Sequence, residues 1–274
     1  VQNNKVNSMK RSSSGATLLV AAIVLSSPLA VASVDYKQMI TIPAGEFSMG
    51  CKESDGVYCL PGTTPHKVYL DSYKIDKYLV TFKRYQNCID AGKCSEPYIG
   101  AACNYGMSWA DNHPANCITY QQAEAVCSFE GKRLPTEAEW AKAARGTKGF
   151  IFPWGNSPEP SCDRVVMNEK RDGKIGPGCG AGTSMPVGSK PAGASPYGVM
   201  DMAGNMFEWT SDWYSESYFA NSPAKNPKGP DYGQAKVLRG SAWTARYRDG
   251  IALTVRSPYA PEGQGYVVGA RCAQ

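Results

Sequence analysis

Histidine is nearly missing from this chain: His66 and His113 are the only 2 in 274 residues. Two imidazoles cannot make a three-histidine metal centre, and each sits beside proline (Pro65-His66, His113-Pro114) in stretches that read as surface loops. Charge is sparse, 19% of residues, and no Lys/Arg-rich run occurs. That excludes a protein whose work is to neutralise nucleic-acid phosphates. The formal net charge of +5 includes Lys5, Lys10 and Arg11 in the first 32 residues, which hold no acid; removing those three leaves 26 cations against 24 acids. The longest apolar run is about ten residues, half of the roughly twenty that a membrane-spanning helix needs, so no transmembrane anchor is expected in the mature protein. No two cysteines have C-x-x-C spacing, which with so few histidines argues against a zinc site.

Other residue types are abundant. Hydrophobic residues make up 42%, enough for a real core, which excludes disorder and collagen-like structure. With 28 Gly, 19 Pro, 16 Tyr and 6 Trp, the composition is that of a loop-rich fold pinned by aromatics, not of a helical bundle.

Residues 1–32 read as a signal peptide. Lys10 and Arg11 follow Met9, then comes Ala16-Thr17-Leu18-Leu19-Val20-Ala21-Ala22-Ile23-Val24-Leu25, and Ala30-Val31-Ala32 fits a small-residue cleavage site. Residues 1–8 precede a better start at Met9, as an over-extended gene start would. Residues 33–274 are expected to form a single domain in the periplasm or outside the cell. All ten cysteines (Cys51, Cys59, Cys88, Cys94, Cys103, Cys117, Cys127, Cys162, Cys179 and Cys272) lie in that part, and five disulfides are expected. Ten cysteines allow on the order of a thousand pairings, from which sequence alone selects none. Proximity favours Cys51–Cys59, Cys88–Cys94, Cys103–Cys117 and Cys162–Cys179, leaving Cys127 for Cys272.

Capping patterns predict three short helices. Thr81 heads 81–91 with Gly92 as a stop; Thr119 and Gln122 form a capping box for 119–130; Pro135-Thr136-Glu137-Ala138-Glu139 opens a third that runs to Arg145. Strands are expected at 39–42, 67–73, 236–239 and 265–270, with little regular structure at 147–235. The Trp209-Thr210-Ser211-Asp212-Trp213-Tyr214 cluster reads as core. This mixture is α+β with low secondary-structure content.

Six segments stand in a particular order: Ile42-Pro43-Ala44-Gly45-Glu46-Phe47-Ser48-Met49-Gly50, Gly131-Lys132-Arg133-Leu134-Pro135-Thr136-Glu137-Ala138-Glu139-Trp140, Pro153-Trp154-Gly155-Asn156, Asp201-Met202-Ala203-Gly204-Asn205-Met206-Phe207-Glu208-Trp209-Thr210, Val237-Leu238-Arg239-Gly240-Ser241 and Gly269-Ala270-Arg271-Cys272. The chain thereby resembles the formylglycine-generating enzyme (sulfatase-modifying factor) family over about residues 39–273. The resemblance implies a compact domain with a C-type-lectin-like core, stapled here by disulfides, and a bridge between the central-helix Cys127 and Cys272.

The resemblance also implies where chemistry should sit, and there the chain departs. Active relatives follow R-G-G-S with two cysteines that bind copper(I), for which soft thiolates are suited. Here Arg239-Gly240-Ser241-Ala242-Trp243-Thr244-Ala245-Arg246-Tyr247-Arg248-Asp249-Gly250 contains no cysteine, and none lies between Cys179 and Cys272. Copper, haem and nucleotide are not expected, nor is formylglycine-generating activity. The family's calcium loop implies Asp201 and Glu208 as carboxylate ligands and Gly204 and Met206 as carbonyl ligands of a structural Ca²⁺, since two close carboxylates would otherwise repel. The family's substrate groove implies Trp243, Arg246, Tyr247, Arg248, Asp249, Arg256 and Tyr259 as ligand-binding residues, a mix of aromatic faces and guanidinium groups suited to a carboxylate, sulfate or peptide.

Three functions follow as expectations. The first is a monomeric exported binding protein for a small molecule, peptide or protein, of which the variable protein of a diversity-generating retroelement is a special form. The second is a periplasmic oxidoreductase or tailoring enzyme similar to family members that mature siderophore chromophores. The third is a partner in an envelope assembly, whose sign would be exposed apolar surface.

Overall fold

Three threonines start the three long helices. In the computed structural model, which describes residues 34–171 and 174–274, helix α1 (Phe82–Asp90) begins where the Thr81 hydroxyl accepts from Arg84 N at 3.3 Å. Helix α2 (Tyr120–Phe129) carries the full reciprocal box: Gln122 N donates to Thr119 Oγ1 and Thr119 N to Gln122 Oε1. Thr136 and Glu139 do the same for α3 (Glu137–Arg145). Each pairing satisfies backbone donors that a helix start leaves open, which is why these boundaries were legible.

Helix α3 runs through the middle of the protein, and all nine of its residues are buried. Trp140 packs in the main apolar cluster with Ile42, Phe47, Val68, Ile75 and Phe152. Lys142 donates to the carbonyls of Pro43 at 2.7 Å and Gly45 at 2.9 Å, so even its charged side chain is used to hold a loop.

Strands β1 (Met39–Ile42) and β2 (Gly45–Met49) pair with β4 (Tyr73–Asp76) and β3 (His66–Leu70) respectively, as two antiparallel ribbons with Ile40 opposite Ile75 and Phe47 opposite Val68. A third ribbon joins β5 (Glu169–Arg171) to β6 (Lys174–Gly176). The four-stranded sheet comes from the second half of the chain: β7 (Phe207–Trp213), β8 (Lys236–Arg239), β9 (Ser257–Tyr259) and β10 (Val268–Gly269) lie in the order β10-β7-β8-β9, with β10 parallel to β7. Two single-turn helices, α4 (Tyr218–Asn221) and α5 (Arg248–Ile251), flank β8 in sequence.

Several strand expectations need correction. The run at 67–73 is two strands, broken at Asp71 and Ser72, where Asp71 N donates to the side chain of Asn226 instead of to a ladder. The run at 265–270 contributes only Val268–Gly269, because Val268 N turns back to the carbonyl of Gly265. The stretch 147–235 holds the longest strand, β7, whose buried positions include Glu208, Thr210 and Asp212 beside Trp209. Phe207, Trp209 and Trp213 alternate with Glu208, Thr210 and Asp212, but all three of the polar set are buried, the reverse of the usual half-buried strand. The histidines are not both in surface loops: His113 is buried, its Nδ1 3.2 Å from Ser184 Oγ, and His66 lies on β3 against the Phe219 ring. The expected signal peptide at 1–32 lies outside the described residues.

The ten cysteines form five disulfides: Cys51–Cys59, Cys88–Cys94, Cys103–Cys117, Cys162–Cys179 and Cys127–Cys272. The last spans 145 residues of sequence and ties α2 to the end of the chain, whereas Cys88–Cys94 spans 6. In the chain-entropy account a longer closed loop stabilises more, about 5 kcal/mol for the long bridge against about 2 kcal/mol for the short one. Replacing both cysteines of each pair by alanine should reproduce that order in urea unfolding. Equal losses for the two double variants would show that the long bridge does not act by constraining the unfolded chain.

Candidate functional site

Strand β8 delivers the segment where the family's chemistry would sit. Gly240 follows Arg239 at φ +95°, and a Cβ there would come within 3.0 Å of the Trp140 ring, so only glycine fits. Ser241, next in line, is buried and also adopts a positive φ of 68°. Arg239 itself is buried over the Trp140 ring, and its two terminal nitrogens donate to Leu253 O at 2.6 Å and Val255 O at 2.7 Å. These contacts fold 241–255 back on the core as a loop whose outer turn is α5.

The seven expected ligand-binding residues do not share one surface. Arg256 is 2% exposed and grips Glu137 with two hydrogen bonds, 2.6 and 2.8 Å, while its guanidinium lies over the Phe219 ring. It is a core ion pair, which corrects its assignment to the groove. Trp243 is also buried, with its backbone N donating to Asn205 O and its ring 5.8 Å from that of Tyr266; its indole N–H has no protein partner. Tyr259 stands on β9 with its ring 5.5 Å from Trp209, away from α5.

The other four cluster. Arg248 lies over the Phe152 ring, pairs with Glu159, and donates to the carbonyl of Gly56; Asp249 Oδ1 accepts from Tyr58 N at 3.2 Å. Both residues therefore pin α5 to the loop closed by Cys51–Cys59. Facing outward with Asp249 are Arg246, Tyr247, which is 75% exposed, and a residue missed in the sequence, Tyr58, which is 68% exposed. Tyr58 and Asp249 are 191 residues apart, and no local signal links them. Elsewhere, Tyr98, Ile99, Met107 and Trp109 are exposed in and beside the Cys103–Cys117 loop. A groove of about 460 Å³ bounded by Tyr73, Arg133, Leu134, Glu139, Lys228 and Gln274 contains none of the seven.

The 201–208 loop is tightly wound, with Asp201, Gly204 and Asn205 all at positive φ. Arg271 donates from Nε to Glu208 Oε2 at 2.6 Å and from Nη2 to Oε1 at 2.8 Å, and Trp140 Nε1 adds a third bond at 2.9 Å. Asp201 Oδ2 accepts from Gly188 N, and the Gly204 carbonyl from Met206 N. The set Asp201, Gly204, Met206 and Glu208 is held together here without an ion, because Glu208 already accepts three protein hydrogen bonds, two of them from Arg271. The repulsion argument for the ion also loses its basis, since Arg271 supplies the positive charge between the acids. Thermal melts in millimolar calcium and in excess chelator should therefore superimpose. A melting temperature that rises with calcium would return Glu208 to the ligand set.

Two buried acids here respond to pH: burial pushes the Asp201 carboxyl up to about 6, and Asp212 shifts further. Asp212 Oδ2 accepts from Glu137 N at 2.8 Å at the start of α3, and burial, with the Glu137 charge behind it, pushes its carboxyl up to about 7. Between an unfolded value near 4 and that value, the folded protein holds a proton that the unfolded chain has lost. The stabilisation this group provides is thus full at acid pH and is lost as pH rises through 7. Unfolding midpoints should fall from pH 5 to pH 8 in the wild type, and less steeply in Asp212→Asn, whose amide oxygen can still accept from Glu137 N. Parallel curves for the two proteins would show that Asp212 is ionised throughout.

Residues 27–274 match the sulfatase-modifying factor enzyme 1-like domain. The chain belongs to that family. It is 31% identical over 287 residues to the formylglycine-generating enzyme of Streptomyces coelicolor, covering 85% of this chain and 88% of that protein. Among solved structures, PvdO from Pseudomonas aeruginosa superposes with a TM-score of 0.70 at 26% identity, over 86% of this chain and 93% of that one. The Treponema denticola variable protein 1 superposes with a TM-score of 0.67 at 22% identity, over 86% and 94%, a likeness of fold. The sulfatase-modifying factor fold, α+β with little regular structure, is thus the frame in which β8 and its following loop must be read.

Proposed function

We propose that this family member is an exported binding protein on the formylglycine-generating-enzyme scaffold, with Arg246, Tyr247 and Tyr58 as its ligand face. The observation that carries the reading is the state of the thiols: the segment after Arg239-Gly240-Ser241 has no cysteine, and all ten cysteines are closed in disulfides. A copper(I) site of the kind active relatives use needs two thiolates, and none is on offer. Five disulfides also favour an oxidising compartment, and among the described residues no helix is long and apolar enough to cross a membrane. Tyrosine rings give large contact area at low entropic cost, and a guanidinium adds a planar fork for carboxylate or sulfate, so a peptide or acidic ligand suits this face.

A second reading, a periplasmic tailoring enzyme, draws on the buried Trp243 indole N–H without a protein partner, a donor that a bound substrate could use. The two readings part on surface mutants, and neither includes formylglycine formation. Given copper(I), oxygen and a peptide with a C-x-P-x-R motif, the protein should form no formylglycine; turnover above a no-enzyme control would overturn the binding-protein reading. Peptides selected from a display library on the wild type should bind Arg246→Ala/Tyr247→Ala at least tenfold more weakly, at unchanged stability, since exposed substitutions typically shift it by about 0.5 kcal/mol or less. Peptides indifferent to both substitutions would place the ligand face elsewhere.

A further inference from the structure

Arg145 closes α3 with its side chain inside the protein, only 3% exposed. Its Nε donates to Phe150 O at 2.9 Å, Nη1 to Gly50 O at 2.6 Å and Nη2 to Gly149 O at 3.0 Å. A guanidinium has five N–H groups, so one on each terminal nitrogen is left over. Among the described residues no carboxylate lies within ion-pair distance of it. The other interior arginines differ: Arg84, Arg256 and Arg271 all hold acids.

Beside Arg145 is a small polar pocket of about 80 Å³, with Ser48, Lys52, Lys148 and Asn156 in its walls. Neither lysine has an acid within ion-pair distance among the described residues, and both are exposed, so their long side chains can reach in. Asn156 spends its oxygen on Ile151 N at 2.9 Å, which leaves its NH₂ as the group it can offer. The one acid in the wall, Asp55, turns an oxygen to Lys52 N. Three cations, an amide and a hydroxyl therefore surround the space, against one carboxylate held by backbone. Burial pulls the Arg145 guanidinium down to about 10, with the Asp55 charge opposing the shift only in part.

We infer that this pocket is an oxyanion site for a tetrahedral anion, phosphate or sulfate, either free or as the end group of a larger molecule. The size agrees, because a water molecule takes about 30 Å³, and the space holds an ion of a few heavy atoms but not a nucleotide or a sugar. The donor chemistry agrees too, since guanidinium and ammonium groups converging on a partly enclosed space are the usual means of holding tetrahedral oxyanions. The inference is independent of the ligand face proposed above.

Calorimetric titration of the whole protein with sodium phosphate, with sodium sulfate and with phosphoethanolamine, in chloride buffer at fixed ionic strength, tests it. Saturable binding of at least one is expected. In Lys52→Gln/Lys148→Gln it should weaken at least tenfold, while Lys83→Gln/Lys93→Gln, an equal charge change on exposed α1 and its following turn, should leave it unchanged. Phosphoethanolamine binding more tightly than phosphate assigns the site to an end group, and weaker binding assigns it to the free ion. Arg145 itself is too deeply built in to serve as the test, so the exposed lysines are used. No saturable binding of any of the three, or equal weakening in both double variants, would overturn the site.

Discussion

Glu208 and Arg271 meet where neither is reached by water, and all five N–H groups of the guanidinium are used. Glu208 sits on the central strand β7, Arg271 follows β10, and Trp140 of α3 completes the group. Arg271 also donates to the carbonyls of Asp76, Lys77 and Met200, so one guanidinium joins β4, the 200s loop, β7 and the end of the chain. Breaking such a pair by removing one partner costs about 3–5 kcal/mol in other proteins, because the remaining charge is stranded. The next residue, Cys272, is bound to Cys127 of α2, so covalent and ionic ties act within two residues of each other.

The same device recurs across a fold with few long strands. Arg84 and Lys132 share Asp76 and Glu130, holding α1 to the end of α2 and to β4, and that company keeps the Glu130 carboxyl near 2 despite burial. Arg256 and Arg239 stand over Glu137 at the first turn of α3. Where hydrogen-bond ladders are short, buried side chains must satisfy loop carbonyls instead, which Lys142, Arg145, Arg239 and Arg271 all do. A loop-rich composition is compatible with a rigid interior for this reason.

Legibility in the sequence followed the range of the interaction. Thr119 and Gln122, or Thr136 and Glu139, lie three residues apart, and their helices could be placed to within a residue or two. Six ordered motifs carry the resemblance to the family, and proximity anticipates four disulfides. Strand β7 was hidden because Glu208 and Asp212 point inward, a choice explained only by partners 63 and 75 residues away. Arg256 and Tyr58 were misjudged or missed for the same cause, their partners being 119 and 191 residues distant.

That distribution bears on how this scaffold can exist without its relatives' thiols. The groups that hold the loop after β8 lie at its root: Arg239 and Gly240 against Trp140, and Arg256 on Glu137. Between those anchors, Arg246 and Tyr247 face solvent. Exposed positions of this kind carry little of the folding free energy, so their identities can change while the root stays fixed. The pins at Arg248 and Asp249 limit that freedom, because they set the outer turn on the Cys51–Cys59 loop and thereby bring Tyr58 beside it. A thiol pair, an acidic-ligand face or another surface can thus occupy the same turn without disturbing the interior. The exposed turn can therefore vary in sequence while the charges buried beneath it hold the interior.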